Sequence, residues 1–299
     1  MEHSGELDRQ RPSAPPAVAR GHAAAAPAPW VDRLALALLY VVSAAALAGY
    51  ATFALHPALL GELPGAAAVY GPMFVLAPRA QIVLAFVVLA LFLVRRVGGR
   101  WLGAFAALYL LSLASELAGT TVGLPFGPYG YTDGLGPKWL GHVPVLIPLS
   151  WFFMAVPSYA IARRRFPEPD RAGHRLLVGS LVLLSWDLAL DPAMSLVTTY
   201  WVWATDGPYY GMPLLNLVGW YVTWLALMAA LAMLRADAWI AELPVHWLAA
   251  FYGANLLLPL GMSAAAGLWG AVAATLAALL ACWLLTRAGA ARPARLAGT

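Results

Sequence analysis

Residues 175–191 read RLLVGSLVLLSWDLALD. An arginine opens this run and two aspartates, Asp187 and Asp191, stand at its far end. About 20 mainly apolar residues cross a bilayer as a helix, so the run is a candidate membrane span. A carboxyl group is costly in hydrocarbon, and an acid inside a span marks a candidate functional site. At four residues apart, Asp187 and Asp191 share one helix face and differ in depth by about 6 Å. Pro192 follows directly, and the residue before a proline is pushed out of the helical region. The helix is therefore expected to end at Asp191, with Asp187 one turn deeper.

Seven more runs have the same character, at residues 31–55, 79–96, 101–117, 143–162, 215–234, 245–260 and 266–286. The chain is 62% hydrophobic and 11% charged with a mean hydropathy of +0.73, which excludes an ordinary soluble domain. The expected fold is all-α: a polytopic transmembrane helical bundle of about eight spans. Residues 58–77 are apolar too, but Pro57, Pro64, Gly65, Gly71, Pro72 and Pro78 punctuate them. They are expected to form an interfacial or re-entrant loop, a ninth span being the alternative.

Basic residues set the orientation. With the N-terminus on the cytoplasmic side, every arginine and lysine except Arg79 and Lys138 falls on that side, as the positive-inside rule requires. Both termini are then cytoplasmic, and the Arg163–Arg165 cluster is a topology signal. The expected location is the cell (inner or plasma) membrane, crossed many times, with membrane lipid as a partner. Sequence pI is about 9.3 and formal net charge is +4. The basic residues sit in short clusters without the interleaved aromatics of a nucleic-acid surface, so no nucleic-acid partner is expected. Residues 1–29 contain five prolines and a run of alanines and are read as a disordered cytoplasmic tail. They do not read as a signal peptide, because the first apolar run starts late and is long. Residues 30–287 form the membrane domain and 288–299 a second tail. Cys282 is the single cysteine, so no disulfide framework and no thiolate metal site are expected. The six histidines lack the two-His helical spacing of a zinc site, so no metal is expected.

Glu116 lies near the end of the third span, on the same side as Asp187 and Asp191. Two long loops share that side: AGTTVGLPFGPYGYTDGLGPKWLGH at 118–142 and SLVTTYWVWATDGPYYGMP at 195–213. Loops of this length in a compact protein are functional or disordered, and their aromatic content argues against disorder. They suit a cap at headgroup depth lined by Tyr129, Tyr131, Trp201, Trp203, Tyr209 and Tyr210. An aromatic interfacial belt that needs no ligand is the alternative. Thr132-Asp133-Gly134 and Thr205-Asp206-Gly207 form a short internal echo, each followed by proline, an apolar run and tryptophan (Trp151; Trp220, after Asn216).

Three segments carry a resemblance. They are GTTVGLPFGPYGYTDGLGPKWLGHVPVLIPLSWF (119–152, just after Glu116), SWDLALDPAM (185–194) and WVWATDGPYYGMPLLNLVGW (201–220). Together they resemble the integral-membrane carotenoid biosynthesis family, over about residues 101–224 and more loosely over the remaining helices. Its characterised members are carotenoid 1',2'-hydratases acting on gamma-carotene, lycopene or bisanhydrobacterioruberin. The resemblance implies a hydro-lyase that adds water to the terminal 1',2' double bond of an acyclic end group, giving a tertiary alcohol. It implies a carotenoid and water as reactants and no cofactor, and it does not assign the acting residues.

Chemistry supplies those assignments. Protonating a trisubstituted alkene gives a tertiary cation and needs a carboxylic acid that has kept its proton. Burial and a second nearby carboxyl both favour that form. Asp187, the deeper acid, is the expected proton donor. Asp191 or Glu116 is expected to orient the water and accept its proton. Trp186, Tyr129 and Tyr131 are candidates to stabilise the cation through their ring faces, at about 0.5–2 kcal/mol each. Thr120 and Thr121 are candidates to hydrogen-bond a carboxyl. Asp133, Asn216 and Trp203 complete the expected substrate side. The structural alternative has Asp191 capping loop amides and Asp187 tying two helices together. Competing functions are a proton-initiated carotenoid end-group cyclase, a proton-coupled transporter and a non-catalytic pigment-binding scaffold.

Overall fold

The computed structural model describes residues 29–288. The tails expected at 1–29 and 288–299 lie outside the described residues, apart from Pro29 and Ala288, which belong to helices. The described chain runs α1 (Pro29–Gly49, extended by a π-helical turn at Tyr50–Ala54), α2 (Ala58–Glu62), α3 (Pro64–Val97) and α4 (Leu102–Val122). Three short strands follow, β1 (Tyr129–Tyr131), β2 (Lys138–Trp139) and β3 (Val143–Pro144), then α5 (Ile147–Arg165) and α6 (Ala172–Asp191). The rest is β4 (Trp201–Trp203), α7 (Leu214–Met233), α8 (Asp237–Ile240), α9 (Val245–Ala265) and α10 (Trp269–Ala288).

Every expected span is a long helix. Among the described residues, seven helical stretches are long and apolar enough to cross a membrane, which makes this a multi-pass membrane protein. The eighth, α5, differs for a physical reason. It is buried on nearly all sides among α3, α4, α6, α7 and α9. A helix sheathed by protein has no lipid to face, so its sequence is less apolar than that of a lipid-facing span and includes Ser150, Pro157 and Ser158.

Residues 58–77 correct the sequence reading. They do not form an interfacial or re-entrant loop. After the single turn of α2 they become the first part of α3, which continues through Pro72 and Pro78 for 34 residues. Pro64 sits at the first helical position, where its missing N–H costs nothing. Interior prolines are tolerated in membrane helices because neighbouring groups satisfy the freed carbonyls. At about 1.5 Å per residue the helix outruns a hydrocarbon layer of about 30 Å, and no ninth span is needed.

The end of α6 is also softer than expected. The helix closes at Asp191, but that residue keeps helical angles (φ −63°, ψ −50°) and Pro192–Val197 continues as a π-helical turn. The wider turn accommodates the proline ring without breaking the helix.

The two ends of the bundle are chemically distinct. At one end Asp32 takes Arg95 and Arg96, Arg100 pairs with Glu242 at 2.7 Å, and Asp237 takes Arg163 at 3.0 Å and Arg175 at 3.5 Å. This is the end that the charge rule assigns to the cytoplasm. At the other end, β1 and β4 pair antiparallel, joining the two long loops with Tyr129 opposite Trp203 and Tyr131 opposite Trp201. Arg79 pins this cap from α3, its Nε donating to the Gly134 carbonyl at 2.8 Å.

Candidate active site

In the β1–β4 ribbon, residues alternate between faces. Tyr129, Tyr131, Trp201 and Trp203 therefore share one face, and all four line a cavity beneath it. Val202, on the other face, is half exposed. The cap needs close backbone approach, which glycine permits. A side chain at Gly119 would meet the Phe126 ring at 2.6 Å and the Tyr129 ring at 2.9 Å. One at Gly219 would meet the Pro125 carbonyl oxygen at 2.3 Å.

The cavity, counted together with the open space at its mouth, measures about 890 Å³ and is lined by the ribbon and by α3, α4, α5, α6, α7 and α9. Two acids line it: Glu116 from α4 and Asp187 from α6, each almost fully buried. Glu116 is clamped. The Tyr129 hydroxyl and the Tyr131 hydroxyl (2.9 Å) both donate to its Oε2, and Trp151 Nε1 donates to Oε1 at 3.1 Å. Burial, and then the negative charge of Glu116, pushes both phenols well above their usual range. They are therefore fixed donors at any physiological pH.

Asp187 is held by one oxygen only. Trp224 Nε1 donates to Oδ2, while Oδ1 is buried with no partner among the described residues. Asp191 is the opposite case. Trp201 Nε1 donates to its Oδ1 at 2.7 Å and Asn216 Nδ2 to its Oδ2 at 3.1 Å. It does not line the cavity. Its bonds tie α6 to the ribbon and to α7, holding the cap in register.

The other expected site residues divide. Trp186 and Trp203 line the cavity. Trp186 donates to the Asn255 carbonyl at 3.2 Å, and Trp203 Nε1 is buried without a partner among the described residues. Thr120 and Thr121 bond backbone carbonyls of their own helix, at 2.9 Å to Glu116 and 2.6 Å to Leu117, so neither touches a carboxyl group. A threonine near a helix end commonly bonds the carbonyl four residues back. Asp133 is fully exposed and pairs with Lys138 at 2.8 Å, on the outside of the cap. The hydrogen bond from Lys138, and then its charge, hold its carboxyl below the usual range. Asn216 serves Asp191 and does not reach the cavity. Tyr209 and Tyr210 brace α6 and α10 from outside the cavity.

Sequence reasoning missed Trp151, Trp220, Trp224, Gln81 and Asn255 as lining residues. The three tryptophans pack together, with ring centres of Trp151 and Trp224 4.1 Å apart. The spacing of Trp220 and Trp224, one helical turn, was the available signal. Gln81 and Asn255 bond each other at 3.3 Å across α3 and α9, a pairing that no local pattern reveals. Among the described residues, no group of three or more His, Cys, Asp or Glu is arranged to hold a metal.

One acid with an oxygen that has no partner among the described residues, a second acid with donors on both oxygens, and a wall of indoles and phenols thus face one apolar space. No solved structure matches this chain. The bisanhydrobacterioruberin hydratase of Haloarcula japonica is 32% identical over 123 residues, which cover 40% of this chain and 41% of that protein. The match thus spans under half the length of that curated relative. The family model described as carotenoid biosynthesis protein matches residues 78–282, more than half of the chain and the whole region that builds the cavity. On that match, this chain belongs to the carotenoid biosynthesis protein family.

Proposed function

We propose that this protein is an enzyme of the cell membrane that hydrates the terminal 1',2' double bond of an acyclic carotenoid. The observation that carries the reading is the unpartnered Oδ1 of Asp187 in a cavity walled by aromatic rings. Of the two cavity acids, Asp187 has the oxygen free to carry and deliver a proton. Glu116, with donors on both oxygens, has the coordination of a charged carboxylate.

The proposed steps balance. The Asp187 proton moves to C2', the inner carbon of the terminal double bond, and C1', which bears the two methyl groups, becomes a tertiary cation. Glu116 stabilises that cation as a fixed negative charge, and the faces of Trp151, Trp186 and Trp224 add cation–π attraction. Water attacks the cation, and the surplus proton returns to Asp187, restoring the acid. Three donors make Glu116 a poor base, so this reading gives it an electrostatic role and keeps proton transfer on Asp187. Gln81 and Asn255 are the polar groups available to seat the water. Asp191 positions the cap. The named activity of the Haloarcula relative favours hydration over cyclisation.

The test is expression in a host that accumulates lycopene, followed by mass analysis of its pigments. A product one water heavier supports the reading. A product of unchanged mass but altered retention would replace it with cyclisation.

A further inference from the structure

A second chamber opens beside the first. Counted together with the open space at its mouth, it measures about 1060 Å³ between α1, the π-turn at Tyr50, α3 and α9. It exists because the facing positions are small: Ala45, Ala46 and Gly49 on α1 look toward Ala77 and Ala80 on α3. No charged side chain lines it. Pro78, Met194, Tyr200 and Leu258 line both chambers, so these four side chains form the wall that the two share.

The second chamber also contains an unmet polar demand. The hydroxyls of Tyr50 and Tyr70 are buried without a partner among the described residues, and both residues line it. A saturated acyl chain has nothing to offer them. A conjugated chain presents a π face along its length, a weak acceptor for such donors.

We propose that this chamber receives the conjugated chain of the substrate while the reacting end passes the shared wall at Met194 and Tyr200 to reach Asp187. The identity of the guest rests on the hydration reading. The location rests on the wall that the two chambers share, on an uncharged lining with small residues on α1 and α3, and on the two unmet hydroxyls. The chamber thus selects for a long unsaturated chain, and the acid cavity reads only its end.

The experiment compares wild type with Ala46→Trp and Ala77→Trp, purified from lycopene-accumulating cells. It reads pigment retained per protein, and the ratio of hydration of the long polyene to that of a short acyclic isoprenoid bearing the same end group. Filling the chamber is expected to lower retention at least fivefold and the ratio at least tenfold. Retention and ratio both unchanged in a variant with the wild-type unfolding temperature would overturn the proposal. So would copurified phospholipid acyl chains in place of pigment. If both tryptophan variants misfold, Ala46→Cys serves instead, with maleimide labelling mapped by peptide mass to separate it from Cys282. Protection of that cysteine by added polyene supports the chamber, and equal labelling with and without polyene sinks it. Wild type that retains pigment but never hydrates it overturns the hydration reading alone. Wild type that hydrates normally beside unaffected tryptophan variants overturns the chamber alone.

Discussion

Acids occupy both ends of this bundle, and their partners differ in kind. At the basic end Asp32 and Asp237 are met by arginines. At the capped end Glu116, Asp187 and Asp191 are met only by neutral donors: two phenols, three indoles and an amide. An arginine neutralises an acid and fixes it as architecture. A neutral donor orients a carboxyl without cancelling its charge or removing its proton, so the group remains available for chemistry. Among the three, Asp187 alone combines a place on the cavity wall with an oxygen that has no partner.

The comparison can be broken most sharply at Asp187. Asp187→Asn keeps the shape and removes the transferable proton, so hydration is expected to fall by about 10³-fold, within the range for general acid catalysis. Product yield per folded protein in lycopene-accumulating cells measures it, and a variant retaining near wild-type yield would transfer the role elsewhere. Glu116→Gln removes a charge without removing a proton donor. A loss of about 10²-fold is expected, the scale of one lost electrostatic contact at a charged transition state. An equal loss in both variants would argue for a shared proton instead.

Tyr131→Phe should cost less, about tenfold, because Tyr129 and Trp151 still hold Glu116. The same variant tests the electrostatics of the cap. With the folded-state phenols raised above their usual value of about 10, the stability they supply is complete below that pH. It is lost as pH climbs above it. Removing Tyr131 should flatten the fall in thermal stability above about pH 10. Asp237→Asn, at the other end, should sit at the bottom of the series. It is expected to lower stability by about 1–2 kcal/mol, since the carboxyl is partly exposed but one of its two arginines, Arg175, is buried, with hydration within about twofold of wild type. A large loss of activity there would mean that the two ends are coupled.

Much of this was legible from residue order. Apolar runs of bilayer length located the long helices, and the bias of arginines gave their alternation. The same alternation carried Glu116, Asp187 and Asp191 to one end, because a helix that crosses must deliver its last turn to the far side. Prolines misled at 58–77, where the rule learned from water-soluble helices overstated their power to stop a helix inside a membrane. Thr120 and Thr121 misled for a similar reason: their nearest acceptors are carbonyls of their own helix, closer than any carboxyl.

Sequence by itself determined the solvent of this protein, its helices, and the end of the bundle where acids and aromatics collect. All of these follow from the cost of placing charge and bare backbone in hydrocarbon, which each segment meets alone. Only the tertiary structure decided which acid is free. That depends on where Trp151, Trp201, Trp224 and the two ribbon tyrosines end up, donors drawn from α5, α7 and both loops. A hydrogen bond is short and directional, so its presence or absence at Asp187 Oδ1 is set by packing across the fold and not by neighbours along the chain.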